Sequence, residues 1–203
     1  MSTGPTPAGP APDPGTPPRR PRADALRNRA LILAAAEAVF AREGAAGSTE
    51  QVAAQAGVAI GTVFRHFPTK QALLQAIMKE LLARLAAEAA GLAEHGDPAS
   101  ALFEFVRRLV GQAARKQSVV GLLADSGTAL SVGASVQSLG EQIGRLLALA
   151  QAAGSVRADV RAETVVALIA GACQGAVQGG WDDDLQADTL AVIFDGLRPA
   201  ARA

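Results

Sequence analysis

Residues 48–68, with the sequence STEQVAAQAGVAIGTVFRHFP, place hydroxyl, guanidinium and imidazole side chains close together along the chain. Thr62 precedes Arg65 and His66 by about one helical turn, and on a helix we expect the three side chains to point outward near one another. Side chains of these types bind phosphate oxygens and the edges of bases. The chemistry that this stretch could perform is therefore recognition of a nucleic acid.

Two short helices joined by a glycine turn are predicted to position these side chains. Ser48 and Gln51 form the S-x-x-Q pattern of a capping box, so the first helix begins here. Gly57 provides the positive φ that the turn needs, and the second helix is predicted over residues 60–66. This is the helix-turn-helix pattern, whose second helix lies in the major groove of DNA.

The composition predicts an all-α fold. Apolar residues make up 49% of the 203 residues and aromatic residues only 3%, so Ala, Leu, Val and Ile must form the core. Alanine and leucine favour helices, and β-branched runs are scarce. The predicted helices span about residues 24–42, 48–55, 60–66, 70 to between 91 and 98, 98–116, 118–130, 136–153, 162–179 and 184–197.

The net charge of zero hides an asymmetry along the chain. Residues 1–70 carry 8 Lys and Arg against 5 Asp and Glu, whereas residues 71–203 carry 11 against 14. A mildly basic amino-terminal part and an acidic carboxy-terminal part are consistent with a nucleic-acid-binding domain joined to a regulatory domain.

Cysteine usage and hydropathy indicate a cytoplasmic protein. Cys173 is the only cysteine, so no intrachain disulfide is expected; we interpret it as a packed hydrophobe, with redox sensing as the alternative. No apolar run reaches the roughly 18–20 residues of a membrane span, and no secretory signal is seen.

Nothing in the sequence supports catalysis, a cofactor or a bound metal. His66 and His95 are the two histidines, and neither has a partner at metal-ligand spacing. We interpret the acidic run Asp182–Asp184 as the start of a helix rather than a cation site. Nucleophile-elbow, Walker and dinucleotide patterns are absent, so we predict no enzyme activity.

Residues 29–78 resemble the amino-terminal domain of the TetR family of transcriptional regulators. The positions that match in order and spacing are Ala35, Ala36, Phe40, Gly44, Val52, Ala53, Ala56, Gly57, Val58, Gly61, Thr62, Arg65, His66, Phe67 and Lys70. The resemblance implies a three-helix DNA-binding domain followed by a helical domain that binds a ligand and forms a dimer.

The chain is therefore predicted to divide into three segments. Residues 1–21 hold eight of the eleven prolines and should be a disordered tail. Residues 22–70 form the helix-turn-helix DNA-binding domain, and residues 71–203 form the effector-binding and dimerisation domain. Whether the arginines that close the tail contact DNA as a basic arm or are only solvated stays open.

The resemblance also implies which residues contact double-stranded DNA. They lie at the start of the first helix of the pair, along the recognition helix and at the start of the next helix: Ser48, Thr49, Ala59, Ile60, Gly61, Thr62, Phe64, Arg65, His66 and Lys70. Ile60 offers an apolar contact, for instance to a thymine methyl group.

Two residues depart from the family pattern. Ala59 stands where Ser or Thr usually caps the recognition helix, which should weaken that helix start by roughly 1 kcal/mol. Phe64 stands where Tyr is usual, so no phenol can donate to a phosphate. We therefore expect binding to depend on Arg65, Thr62 and Lys70 more than on the aromatic ring.

By resemblance, the last two long helices pair with a second subunit. Glycines at four-residue spacing, from Gly171 to Gly179, would allow close helix approach, with an intrachain crossing as the alternative. The predicted interface residues are Gly171, Gly175, Gln178, Leu190, Ile193, Phe194 and Leu197. A dimer would read half-sites about one DNA turn apart, roughly 34–36 Å, so the operator should be roughly palindromic.

The middle helices favour an adaptable, mostly hydrophobic cavity for an unidentified small-molecule effector. The candidate lining residues are Phe103, Arg107, Leu123, Leu146, Gln174 and Trp181, each with ordinary core or surface packing as the alternative. By resemblance, the effector would favour an arrangement in which the distance between the two recognition helices no longer matches the DNA. The helix that starts at Lys70 would transmit this movement.

Three functions of different classes remain. The predicted one is a repressor that an effector releases from its operator. The alternatives are a DNA-binding regulator or activator without a small effector, and a helical enzyme or scaffold in which the helix-turn-helix only packs. A gel shift separates the third from the others, and release of the duplex by a small molecule separates the first two.

Overall fold

The computed structural model describes residues 21–115 and 133–200. Within these residues every regular element is a helix, which confirms the predicted all-α fold. The elements are α1 (Pro21–Glu43), a 3-10 turn (Gly44–Ala46), α2 (Thr49–Ala56), α3 (Ile60–His66), α4 (Lys70–His95), α5 (Ala101–Arg115), α6 (Gly133–Ala152), α7 (Ala162–Gly179) and α8 (Asp183–Leu197).

The predicted helix bounds agree with these elements to within a few residues. At the start of α5, a turn precedes the helix because the Ser100 hydroxyl donates to the Asp97 carboxylate at 2.7 Å. The predicted helix over residues 118–130 lies outside the described residues, as does nearly all of the predicted tail.

The first three helices and the start of α4 enclose one apolar core, here called the first core. Its fully buried side chains are Ile32, Val39, Phe40, Val52, Val63, Leu73 and Ile77. A helix as short as α3 is not stable alone, so its position depends on this packing. The guanidinium of Arg29 on α1 adds a contact at 5.6 Å from the centre of the Phe67 ring.

Local sequence signals set the turn between α2 and α3. Ser48 and Gln51 form the predicted capping box, with each side chain accepting a hydrogen bond from the other residue's backbone amide. Gly57 has a φ of 67°, the left-handed conformation that was predicted. The amide of Val58 donates to the Ala53 carbonyl at 3.1 Å, which satisfies an acceptor at the end of α2.

Helices α5 to α8 and the far half of α4 form a second core. Its fully buried members include Leu102, Phe105, Val110, Leu146, Ala150 and Ala176. In this core α4 packs mainly against α6, and α5 packs mainly against α7.

Helix α4 takes part in both cores. Leu73 and Ile77 lie in the first core and Ala89 lies in the second, while Leu81 and Leu85 belong to neither cluster of described residues. The first core thus continues for two turns past the start of α4, where the domain boundary was predicted. That boundary stays a prediction.

Two ion pairs join α1 to α4 outside the first core. Arg84 lies 2.7 Å from Glu37, and Arg29 lies 3.9 Å from Glu80. Exposed pairs of this kind contribute roughly 0–1 kcal/mol each, so their main effect is on the relative placement of the two helices.

Candidate DNA interface and effector cavity

The outward surface of α3 is formed by Ile60, Gly61, Phe64 and Arg65. The Ile60 and Phe64 side chains are 38% and 43% exposed, although both are large and apolar. Two such groups beside an exposed guanidinium can contact thymine methyl groups and sugars while Arg65 reaches phosphates or bases.

Gly61 leaves open space in the middle of this surface. No heavy atom lies within 4 Å of the position that a Cβ would take there, and the backbone φ is not in the left-handed region. The fold therefore does not require glycine at this position. A close approach by a partner such as the floor of a DNA groove would explain it.

Thr62 and His66 are half-buried, which corrects the expectation that both point outward. On a helix that turns about 100° per residue, they fall on the flank beside the buried Val63. The His66 ring centre lies 6.2 Å from that of Phe67. Any contact that these two side chains make with DNA would come from the side of α3.

The start of α2 combines potential phosphate donors with a carboxylate. Ser48 and Thr49 are half-buried, and Glu50 next to them is exposed. Hydrogen bonds from its own backbone amide and from the Ser48 hydroxyl hold the pKa of Glu50 below its usual range. Glu50 is thus an anion at neutral pH beside the predicted phosphate contacts.

The recognition helix begins without a side-chain cap, as the sequence predicts. Ala59 occupies the N-cap position with extended backbone (φ −64°, ψ 144°), and no side chain accepts from the first turn. The free amides at this helix start are available to a phosphate oxygen.

Lys70 is committed to contacts within the chain. Its Nζ donates to the carbonyl oxygens of Ala45 at 2.8 Å and Gly47 at 2.7 Å, and it lies 5.3 Å from the centre of the Phe40 ring. A lysine ammonium has three donors, so one is left for a DNA phosphate. The predicted DNA contact of Lys70 stays a prediction.

An apolar cavity of about 140 Å³ lies between α4, α5 and α7, here called the effector cavity. Its lining residues are Met78, Leu81, Leu85, Leu109, Gln112, Ala113 and Cys173. Burial in these surroundings disfavours the charged thiolate of Cys173 and raises its pKa to about 11. None of these residues was predicted from the sequence as a ligand contact. The signal was the apolar stripe of α4, which continues beyond the residues that the first core uses.

The predicted ligand residues that the structure describes do not line this cavity. Phe103 and Arg107 border a different cleft, near the start of α5. Leu146 is fully buried in the second core and Gln174 is exposed on α7, and their ligand contacts stay predictions. Leu123 lies outside the described residues.

Trp181 packs against two of the glycines of α7. A Cβ on Gly175 would lie 2.6 Å from the Trp181 ring, and one on Gly179 would lie 2.8 Å from its indole nitrogen. A side chain of the same chain therefore fills the space at these positions, as in the intrachain alternative, and Trp181 does not line the effector cavity. Gly171 is exposed, and a Cβ there would meet no atom within 4 Å.

Three predicted interface residues of α8 face inward. Leu190, Phe194 and Leu197 are buried in the second core, and their contact with a second subunit stays a prediction. Ile193 is half-buried, while Gln178 on α7 is exposed.

The exposed apolar residues of α7 and α8 are different ones. Leu168, Leu185 and Val192 are 39%, 49% and 74% exposed. With Gly171 and Gln178 they lie on the exposed sides of two helices that pack against each other, and we call this set the outer α7–α8 face. None of these three residues was predicted from the sequence as part of an interface.

Other chemistry is limited in the described residues. Residues 21–115 and 133–200 contain no group of three or more His, Cys, Asp or Glu side chains that could hold a metal ion. Asp182 caps α8 by accepting from the Leu185 amide at 2.8 Å, which confirms the interpretation of the acidic run as a helix start. None of the described helices is both long and apolar enough to cross a membrane.

Comparison with known proteins agrees with this architecture. Residues 32–77 match the family model of bacterial regulatory proteins of the tetR family, and residues 97–199 match that of the carboxy-terminal domain of SbtR-like transcriptional regulators. No curated protein sequence matches significantly.

Two solved structures are similar over most of the chain. A TetR transcription regulatory protein from Mycobacterium vanbaalenii is 38% identical, with a TM-score of 0.68 over 88% of this chain and 99% of its own. A TetR transcriptional regulator from Streptomyces coelicolor is 35% identical, with a TM-score of 0.65 over 85% of this chain and 99% of its own.

Fold and site together define a helix-turn-helix transcription factor. The chain belongs to the TetR family, whose members are DNA-binding regulators and not enzymes. The helix-turn-helix of α2 and α3 is its DNA-binding unit.

Proposed function

We propose that this regulator represses transcription as a homodimer on a roughly palindromic operator, and that a small, largely apolar effector releases it. The observation that carries the proposal is the position of the effector cavity. Its wall residues Met78, Leu81 and Leu85 lie on α4, the helix whose first turns complete the first core. We assign residues 22–70 to DNA binding and residues 71–203 to effector binding and dimerisation.

The proposed DNA contacts centre on the outward surface of α3. Arg65 provides the charge, Ile60 and Phe64 provide apolar contacts, and Gly61 allows close approach. The remaining predicted residues flank this surface: Ser48, Thr49, Ala59, Thr62, His66 and Lys70.

A change at Arg65 tests this interface. Each phosphate contact contributes about 0.9 to the slope of log affinity against log salt concentration. Arg65→Ala should therefore weaken operator binding and reduce that slope by about 1 if the guanidinium contacts a phosphate. Lys79→Ala, an exposed change on α4, is the control; equal effects of the two changes would contradict the assignment.

We propose that the outer α7–α8 face pairs with the same face of a second subunit. Leu168, Leu185 and Val192 expose apolar surface on this face, and a two-fold axis would bury that surface against the same face of the second subunit. The pairing would set the two recognition helices about one DNA turn apart, roughly 34–36 Å.

A charge in this face tests the dimer. Val192→Glu places like charges near each other across the two-fold axis, so sedimentation should show monomers and operator affinity should fall. Val136→Glu, the control, changes an exposed valine on α6, and this variant should remain a dimer. A dimer that persists in Val192→Glu would place the interface elsewhere.

Occupation of the effector cavity is proposed to move α4. A ligand larger than about 140 Å³ would push α4 away from α5 and α7, whose side chains line the cavity. Lys70 and the first core tie the start of α4 to the helix-turn-helix, so a displacement of α4 would reach α3.

A cavity-filling variant tests the coupling without knowledge of the effector. Leu81→Trp should mimic an occupant and lower operator affinity, whereas Leu82→Trp, beside the cavity on the same helix, should not. The operator is first obtained by selection of random duplexes, and apolar compounds are then screened for its release. If Leu81→Trp binds normally and no compound releases the duplex, the effector proposal is wrong and the regulator without an effector is favoured.

A further inference from the structure

Two arginines flank a pair of aromatic rings at the far end of the second core. The rings of Phe103 and Phe194 meet edge to face with centres 4.9 Å apart. The Cζ of Arg107 lies 5.0 Å from the centre of the Phe194 ring, and that of Arg198 lies 5.9 Å from the centre of the Phe103 ring. We call this arrangement the arginine cleft.

The arginine cleft is open and large enough for a small molecule. Two adjoining cavities of about 280 and 570 Å³ share Arg107 and Arg198 in their walls. The other lining residues are mostly apolar or carry hydroxyl groups, among them Ser100, Phe103, Ser155, Leu190 and Phe194. The combination of apolar walls with a few polar groups is typical of a ligand site.

The two guanidinium groups differ in their partners. Arg198 forms an ion pair with Asp195 at 2.6 Å. Arg107 is exposed and makes no ion pair within the part of the chain that the structure describes. A contact with a ring face uses none of the N–H donors of a guanidinium, so those of Arg107 remain available to an anion.

We propose that the arginine cleft binds a small organic carboxylate, at a site separate from the effector cavity. The planar N–H fork of arginine matches the two oxygens of a carboxylate, and an aromatic or aliphatic body would lie against Phe103 and the neighbouring alanines. The Asp195 carboxylate already pairs with Arg198, so it would compete with a bound carboxylate for that arginine.

The location of the cleft separates it from the proposed DNA surface. Ala99 and Ser100 follow the end of α4, and a helix of 26 residues places that end about 39 Å from Lys70. Around α8, the cleft residues Leu190 and Phe194 lie on the side nearly opposite to Val192. Asp195 lies one turn after Val192, so the rim of the cleft borders the outer α7–α8 face there.

Calorimetric titration of the full chain with benzoate and phenylacetate tests the proposal, with benzamide and phenylacetamide as uncharged controls. We expect the carboxylates to bind at millimolar or lower concentration and the amides to bind at least about tenfold more weakly. Arg107→Gln should weaken carboxylate binding by about tenfold. Asp195→Asn should strengthen it, because the internal competitor is removed, and Arg161→Gln, an exposed arginine outside the cleft, should not change it.

Three results would overturn the proposal: no carboxylate binding, equal binding of acids and amides, or binding that Arg107→Gln leaves intact. Arg107→Lys, which keeps the charge, provides a second variant if the glutamine variant does not fold. Because titration needs no DNA, failure here would leave the DNA and effector proposals untouched, and their failure would leave this one untouched.

Discussion

The ammonium of Lys70 donates a hydrogen bond of 2.7 Å to the carbonyl oxygen of Gly47, across 23 residues of sequence. A second bond to Ala45 at 2.8 Å fixes the same turn. The first residue of α4 therefore holds the chain between α1 and α2 in place. Lys70 thus has a structural role in the protein, whether or not it also contacts DNA.

Replacement of this lysine should destabilise the protein. Lys70→Met keeps the aliphatic stem over Phe40 but leaves two carbonyl oxygens without their charged donor, so we expect a loss of about 1 kcal/mol in the free energy of unfolding. Denaturant titration measures it, and Lys79→Met serves as the control. Unchanged stability would mean that water replaces the ammonium without cost.

Gly61→Ala should weaken DNA binding without lowering the stability of the fold. A Cβ there meets nothing within the chain, and glycine in a helix is destabilising by roughly 0.5–1 kcal/mol relative to alanine. Gly61→Ala should therefore unfold at an equal or higher temperature, yet bind the operator more weakly because the methyl group enters the DNA interface. Normal operator affinity would show that DNA does not approach this position.

Gly57→Ala is the matched comparison for that experiment. Gly57 also has open space around it, but its φ of 67° is strained for any residue with a Cβ. Alanine here should lower stability by roughly 1–2 kcal/mol.

The single tryptophan reports on α7. A Cβ on Gly175 would lie 2.6 Å from the Trp181 ring, so Gly175→Ala must displace the ring and change its fluorescence maximum and quenching by iodide. Gly171→Ala, four residues earlier and in open space, should leave the fluorescence of Trp181 unchanged. Identical spectra for the two variants would contradict the packing of Trp181 on Gly175.

The Cys173 thiol should respond to pH as a buried group. Burial favours its neutral form and raises its pKa to about 11, from an ordinary value of 9.0. Since the thiolate is the nucleophile, alkylation by iodoacetamide should be slow near neutral pH and should keep accelerating until about pH 11. A rate that levels off near pH 9 would show an exposed thiol.

The same shift has a consequence for stability. The folded-state pKa lies above the unfolded one, so this group's contribution is fully present below about pH 9 and is lost as the pH rises towards 11. An effector that fills the cavity should slow the alkylation further.

Features that depend on neighbouring residues could be predicted from the sequence. The capping box of Ser48 and Gln51 and the left-handed turn at Gly57 are set by side chains within one helical turn. The same holds for the missing cap at Ala59 and for the acidic start of α8 at Asp182. The fold class followed because such local signals recur in every segment.

Features that depend on distant residues could not be predicted. Helix α8 has apolar residues on two sides, so its periodicity alone did not show that Phe194 faces inward and Val192 outward. The contact of Arg107 with Phe194 joins α5 to α8, and no pattern of neighbouring residues predicts it. The glycine spacing of α7 predicted close approach by another helix. At Gly175 the ring of Trp181, which follows the end of α7, occupies that space instead.

The division of α4 between two cores bears on how the protein unfolds. Residues up to Ile77 belong to the first core and Ala89 belongs to the second, with the effector cavity beside the stretch between them. Two cores joined through α4, with a cavity beside the connecting stretch, should melt with weak cooperativity, as separate calorimetric transitions. A ligand that fills the cavity would supply the missing contacts, so the two transitions should merge into one.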